Sequence, residues 1–145
     1  MKIKLIMLTF FASIFAVSAY AQGDIFGKWK TIDDETGKPK SIVEIYKKDG
    51  KAYGKIVKLF REPGEDQDPI CDKCEDYRKD KKIIGMTIIT GMEYDEDDKE
   101  WDDGEILDPK KGTIYDCKLW LEDGDLQVRG YIAFFFRTQT WKRVE

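Results

Sequence analysis

Histidine is absent from all 145 residues of the chain. That gap rules out Ser-His-Asp and Cys-His nucleophilic sites, zinc sites built on imidazole, and histidine acid/base catalysis. Serine is nearly missing too, since Ser41 is the only one after residue 21. Long apolar runs are also lacking: past the N-terminal segment no stretch approaches the ~20 residues that cross a bilayer. A chain this long makes one domain. Without a nucleophile–base pair the expectation is a protein that is not an enzyme, and a hydrolase working with carboxylates alone is the catalytic chemistry left open.

The N-terminus carries an export address. Lys2 and Lys4 form a positive start, Leu5 to Val17 an apolar stretch, and Ala19-Tyr20-Ala21 a small-x-small cleavage motif, the three parts of a secretory signal peptide over residues 1–21. The apolar stretch is too short for a retained anchor. The expected mature domain is 22–145, periplasmic or secreted. Two lysines and no acid leave with the signal, so the formal charge of −4 becomes −6. A surface of that sign repels phosphate backbones and anionic headgroups, which argues against nucleic acid as a partner and against attachment to acidic membranes.

What remains is punctuated about every ten residues. Runs rich in β-branched and aromatic residues cover Phe26 to Ile32, Ser41 to Lys47, Ala52 to Phe60, Ile83 to Thr90, Trp101 to Leu107, Thr113 to Leu121, Leu126 to Ile132 and Phe136 to Val144. Turn signals separate them, among them Asp49-Gly50, Asp108-Pro109-Lys110-Lys111-Gly112 and Asp123-Gly124, where positive φ is tolerated. All four prolines are expected between strands. The polar stretch Arg61 to Lys82 is long enough to be functional or stapled. Eight or more antiparallel strands joined in order predict an all-β fold, a single up-and-down barrel whose closure removes unpaired edges.

Gly27-Lys28-Trp29 matches the Gly-x-Trp opening of lipocalin-type barrels, and Arg143 is positioned by sequence to pack over that indole and tie the last strand to the first. More of the chain resembles the secreted bacterial family called domain of unknown function 2147, through Tyr53-Gly54-Lys55-Ile56-Val57, Cys71-Asp72-Lys73-Cys74, Ile84-Gly85-Met86, Gly104-Glu105-Ile106-Leu107-Asp108-Pro109, Gly112-Thr113-Ile114-Tyr115, Leu126 to Tyr131 and Thr138 to Val144. These stretches span about residues 24–144. The resemblance implies a lipocalin-like, calycin-type barrel exported by bacteria, with no established activity. One departure is the bulky, apolar run Phe134-Phe135-Phe136.

Cys71 and Cys74 form a C-x-x-C pair. In an oxidising compartment a local disulfide is the favoured reading. A metal site would need two more ligands from carboxylates or Cys117, and thioredoxin-like chemistry would need an electropositive setting. Asp66, Asp68, Asp72, Glu75 and Asp76 supply the opposite field. Cys117 shares the parity of Tyr115, Leu119 and Leu121, which suits a buried free thiol. No cofactor or metal is expected.

Asp95 to Glu105 holds eight acids in eleven residues, yet their spacing fails the EF-hand pattern and a solvated hairpin tip is the simpler reading. Arg129-x-Tyr131 places a guanidinium and a phenol on one face of a strand, which would hold a ligand carboxylate or phosphate if that face lined a barrel. Leu126, Val128 and Ile132 have the opposite parity and are the natural inward face, so both placements stay open. The ligand-binding candidates are Arg129, Tyr131, Tyr115 and Trp101. The expected function is binding of a small molecule in or at the mouth of the barrel. The alternative is an envelope interaction or stress protein with a filled barrel that meets a protein partner through its cysteine loop.

Overall fold

Each β-rich run ends where the backbone can turn back on itself. Asp49 and Gly50 have φ of 51° and 78°, Asp123 and Gly124 of 53° and 81°, the left-handed pair that two-residue hairpins require. The computed structural model describes residues 24–145, so the signal-peptide segment 1–21 lies outside the described residues.

Eight strands follow in order: β1 (Gly27–Ile32), β2 (Pro39–Lys48), β3 (Lys51–Leu59), β4 (Thr87–Asp95), β5 (Glu100–Asp108), β6 (Thr113–Glu122), β7 (Asp125–Ile132) and β8 (Phe135–Arg143). Every neighbour pairs antiparallel, and β1 pairs β8 to close the barrel. The expected all-β up-and-down barrel is therefore the fold. Among the described residues no helix is long and apolar enough to cross a membrane.

Side chains alternate in and out along each strand. Trp29, Val43, Ile45, Ile89, Met92, Leu119 and Leu126 are at most 1% exposed, and they pack the end of the barrel that holds the start of β1, the end of β8 and the hairpins Lys48–Lys51, Asp95–Glu100 and Glu122–Asp125. The opposite end, the mouth, carries the β1–β2, β3–β4 and β5–β6 connections and the two-residue β7–β8 hairpin. Two inward positions are glycines pressed by neighbours: a Cβ on Gly54 would meet Ile89 and Val43 at 3.1–3.2 Å, and one on Gly104 would meet the Met92 side chain and the Thr90 backbone.

Two local expectations are corrected. Pro39 is the first residue of β2 rather than a linker residue, opposite Ile32 where the β1–β2 register shifts; a strand's first position tolerates the missing N–H. Strand β4 starts at Thr87, not Ile83. Ile83 to Met86 instead form a turn held on β3, with Gly85 N–H donating to Ile56 O at 2.6 Å and Ile56 N–H to Met86 O at 3.0 Å.

The long β3–β4 connection folds over the outside of the wall. Ile88 and Leu107 alternate with the inward Ile89 and Ile106, yet they are only 6% and 2% exposed, because this loop covers them. Cys71 and Cys74 are disulfide-bonded, with Cα atoms 5.4 Å apart. Arg78, buried beside them, donates twice to Asp76 Oδ2 (2.6 and 3.1 Å) and once to Thr87 O at 3.0 Å, which anchors the loop to β4.

Candidate functional site

The closed end is built on Trp29. Its Nε1–H donates to Ile25 O at 2.8 Å, and the Arg143 guanidinium lies 4.2 Å from its ring centroid. Arg143 also donates to Phe26 O at 3.1 Å and Asp24 O at 2.6 Å, so the last strand holds the segment before β1 as well as the indole. Gly27 has φ 116°, with the Arg143 guanidinium 3.3 Å from where a Cβ would sit. That close approach is the physical reason for glycine two residues before the tryptophan. Trp101 belongs to this end too. It is 9% exposed and is flanked by Phe26 (centroids 5.6 Å, edge-on) and Tyr94 (5.2 Å).

Arg129 and Tyr131 stand on the outer face of β7, because Leu126 and Val128 take the inward parity and are 0% and 3% exposed. The strand runs without a bulge against β6 and β8, so nothing turns Arg129 inward. Its guanidinium is sandwiched between Trp120 (4.9 Å) and Phe136 (4.6 Å) and donates to Thr138 Oγ1 at 2.6 Å. Tyr131 packs on Phe136 with centroids 5.9 Å apart. The pair therefore does not line the barrel; it belongs to an exterior aromatic cluster.

Tyr115 points inward near the mouth, opposite Ile106 of β5. A Cβ on Gly130 would lie 3.4 Å from Tyr115 and 3.8 Å from Ile106. These are ordinary contact distances, unlike the crowding at Gly54 and Gly104, so a Cβ here would pack against Tyr115 and Ile106 without a clash. Ile106, Tyr115 and Gly130 are all partly exposed, unlike the inward residues of the closed end.

The sequence reading missed the polar side of the mouth. Arg137, Gln139 and Trp141 alternate on β8, and buried Trp141 fixes that face as inward. Trp141 Nε1–H donates to Gln139 Oε1 at 3.1 Å, Gln139 Nε2–H donates to Asp34 Oδ2 at 2.8 Å, and Arg137 pairs with the same Asp34 oxygen. Asp34 is presented by the β1–β2 loop, which Asp33 organises by accepting the N–H groups of Glu35 (3.0 Å) and Thr36 (2.8 Å). The hydrogen bonds from Thr36 hold the Asp33 carboxyl below its ordinary range. The alternation Arg-x-Gln-x-Trp was a usable signal for Arg137 and Gln139. Nothing local in sequence marks Asp34, which lies about a hundred residues away.

At the rim, Ile132 and Phe135 face each other across the β7–β8 hairpin with 50% and 76% exposure, and Phe134 at its tip is 98% exposed. Cys117 sits deeper on β6, between Gly104 and Gly130, where burial pushes its thiol up to about 12.

In a structural comparison the chain is similar to a solved protein described as "Protein HP1028 from the human pathogen Helicobacter pylori belongs to the lipocalin family", with a TM-score of 0.69 at 16% identity over 84% of each chain. At that identity the likeness establishes the fold alone. A comparison with curated proteins gave no match. The family model described as "Uncharacterized protein conserved in bacteria (DUF2147)" matches residues 27–143, and the chain belongs to that family.

Proposed function

We propose that this protein is exported after loss of residues 1–21 and that its 22–145 domain binds a small molecule at the barrel mouth without transforming it. The observation that carries this reading is the contrast between the two ends. The closed half is packed by side chains such as Val43, Met92 and Leu126, whereas Ile106, Tyr115, Gly130 and Gln139 face inward yet remain partly exposed. Eight-stranded barrels are just wide enough either to fill with side chains or to hold one small ligand, and here the inward residues that are only partly buried lie at the mouth. Of the four candidates named from sequence, Tyr115 is retained as a ligand-lining residue. Trp101 is assigned to the closed end, and Arg129 and Tyr131 to the outer face. Membership of a bacterial family and the Cys71–Cys74 disulfide support export, since disulfides persist in oxidising compartments.

The test is to expose purified protein to an envelope extract and identify retained molecules by mass spectrometry, beside a Gly130→Val variant. Valine at this position projects into the mouth from a backbone that accepts it. Retention by the parent and loss in the variant is the expected result; equal retention, or none by either protein, overturns the reading.

A second reading, a protein partner at the cysteine loop, is favoured by one observation. An open cleft of about 500 Å³ borders that loop, lined by Lys73, Glu75, Asp76, Leu107 and Lys111 among others. Replacing the loop and finding partner recovery unchanged in a pull-down would remove this alternative.

A further inference from the structure

Resting on the mouth-site reading, we propose that the ligand is an amphipathic monocarboxylate whose carboxylate takes the place now held by Asp34 on Arg137 and Gln139. Its apolar body would lie against Ile106, Tyr115, Ile132 and Phe135. The two donors sit one above the other on the inward face of β8, and they converge on a single oxygen of Asp34. A guanidinium and an amide N–H aimed at one point form a carboxylate-recognition geometry, and the chain fills it with a side-chain carboxylate of its own.

Asp34 is a replaceable occupant. It comes from a loop and not from the wall, its side chain is 37% exposed, and that of Arg137 is 62% exposed. An ion pair this open to water contributes little, so exchanging one carboxylate for another is nearly neutral. Burial of the ligand's apolar body against Ile132 and Phe135 then supplies the net gain. Both are exposed large hydrophobics at the rim, and such exposed apolar surface at an opening marks a contact site.

The same contact also bridges the β1–β8 seam, where the backbone ladder has only the pairs Trp29↔Arg143 and Lys30↔Lys142. A clasp without a ligand role is therefore the competing explanation, and the two make different forecasts.

Octanoate and 1-octanol, equal in chain length and different in charge, are titrated into the parent protein and into Asp34→Asn, Arg137→Gln and Gly130→Val variants. The Trp141 indole N–H resonance is followed, because its acceptor Gln139 is part of the site. The parent should bind octanoate more tightly than octanol. Asp34→Asn should strengthen octanoate roughly three- to fivefold, the value of an exposed ion pair, and leave octanol unchanged. Arg137→Gln should erase the difference between the probes, and Gly130→Val should abolish both. If octanoate and octanol bind alike in the parent and in Asp34→Asn, with both lost in Gly130→Val, the carboxylate assignment falls while the mouth reading stands. Asp34→Asn lowering thermal stability with the octanoate-to-octanol ratio unchanged reduces the contact to a clasp and overturns the proposal. Binding of neither probe by any of the proteins overturns the proposal and leaves the mouth reading to the extract experiment.

Discussion

The carbonyl oxygen of Lys73 occupies the space that a Cβ on Gly112 would need. Gly112 lies in the β5–β6 turn at φ 70°, and Lys73 lies between the two disulfide-bonded cysteines. The cysteine loop is thus seated on a turn of the barrel by a contact that only glycine permits. The carbonyl oxygen of Pro109 in the same turn packs 3.3 Å from the Cys71 sulfur, a van der Waals contact because the disulfide leaves that sulfur without a hydrogen.

Gly112→Ala should unseat this loop without dissolving the barrel. The added methyl meets backbone, which cannot swing away, and the left-handed conformation adds strain of about 1–3 kcal/mol. Hydrogen exchange should accelerate between residues 60 and 86 and at Leu107, with strands β6 to β8 unchanged. Exchange rising equally throughout would mean that the loop and the barrel unfold as one unit.

The Arg78–Asp76 pair gives the loop a pH dependence of known sign. The hydrogen bonds from the Arg78 side chain hold the Asp76 carboxyl below its ordinary value of 3.8. A depressed folded value means that the stabilisation is complete above that ordinary value and is lost as pH falls through the lower, folded one. Loop protection should therefore decline only in strong acid, and Asp76→Asn should remove that decline. At neutral pH the same variant leaves the buried Arg78 guanidinium short of its charged acceptor, at a cost of ~1.5–3 kcal/mol. A denaturant titration at pH 3 and pH 7 reads both effects.

Cys117 should be inert in the native protein. Burial raises its thiol to about 12 and closes off access from either face of the wall, while the reactive species is the thiolate. An aromatic disulfide reagent at pH 8 should label nothing until guanidinium is added, and then one thiol. Fast labelling of the folded protein would show instead that β6 separates from a neighbour under native conditions.

The strand order, the closure and the inward parity of β7 were legible in the sequence, because two-residue alternation and the Asp-Gly turns are local signals. The hairpins at Asp49-Gly50 and Asp123-Gly124 fall where those pairs stand, and Leu126 and Val128 face inward as their parity predicts. Leu107 shows where local reading stops. Its parity is outward, and its burial comes from a loop whose docking depends on Gly112 and Arg78, neither of which advertises a partner. The mouth was half legible. Tyr115 could be read from its strand, but pairing of Asp34 with Arg137 depends on which ends of the sheet meet, a property of closure that no window of sequence contains.

That closure has a kinetic side. Seven of the eight strand pairings join neighbours in the chain and can form as successive hairpins, six of them enclosing a short loop and the β3–β4 pair enclosing the cysteine loop. The eighth, between β1 and β8, brings together positions more than a hundred residues apart through two backbone pairs. It carries the largest loop entropy for the least hydrogen bonding. An open, curled sheet is therefore the natural precursor of this barrel, and the residues that cross the seam, Arg143 at one end and Asp34 at the other, decide when the ring shuts.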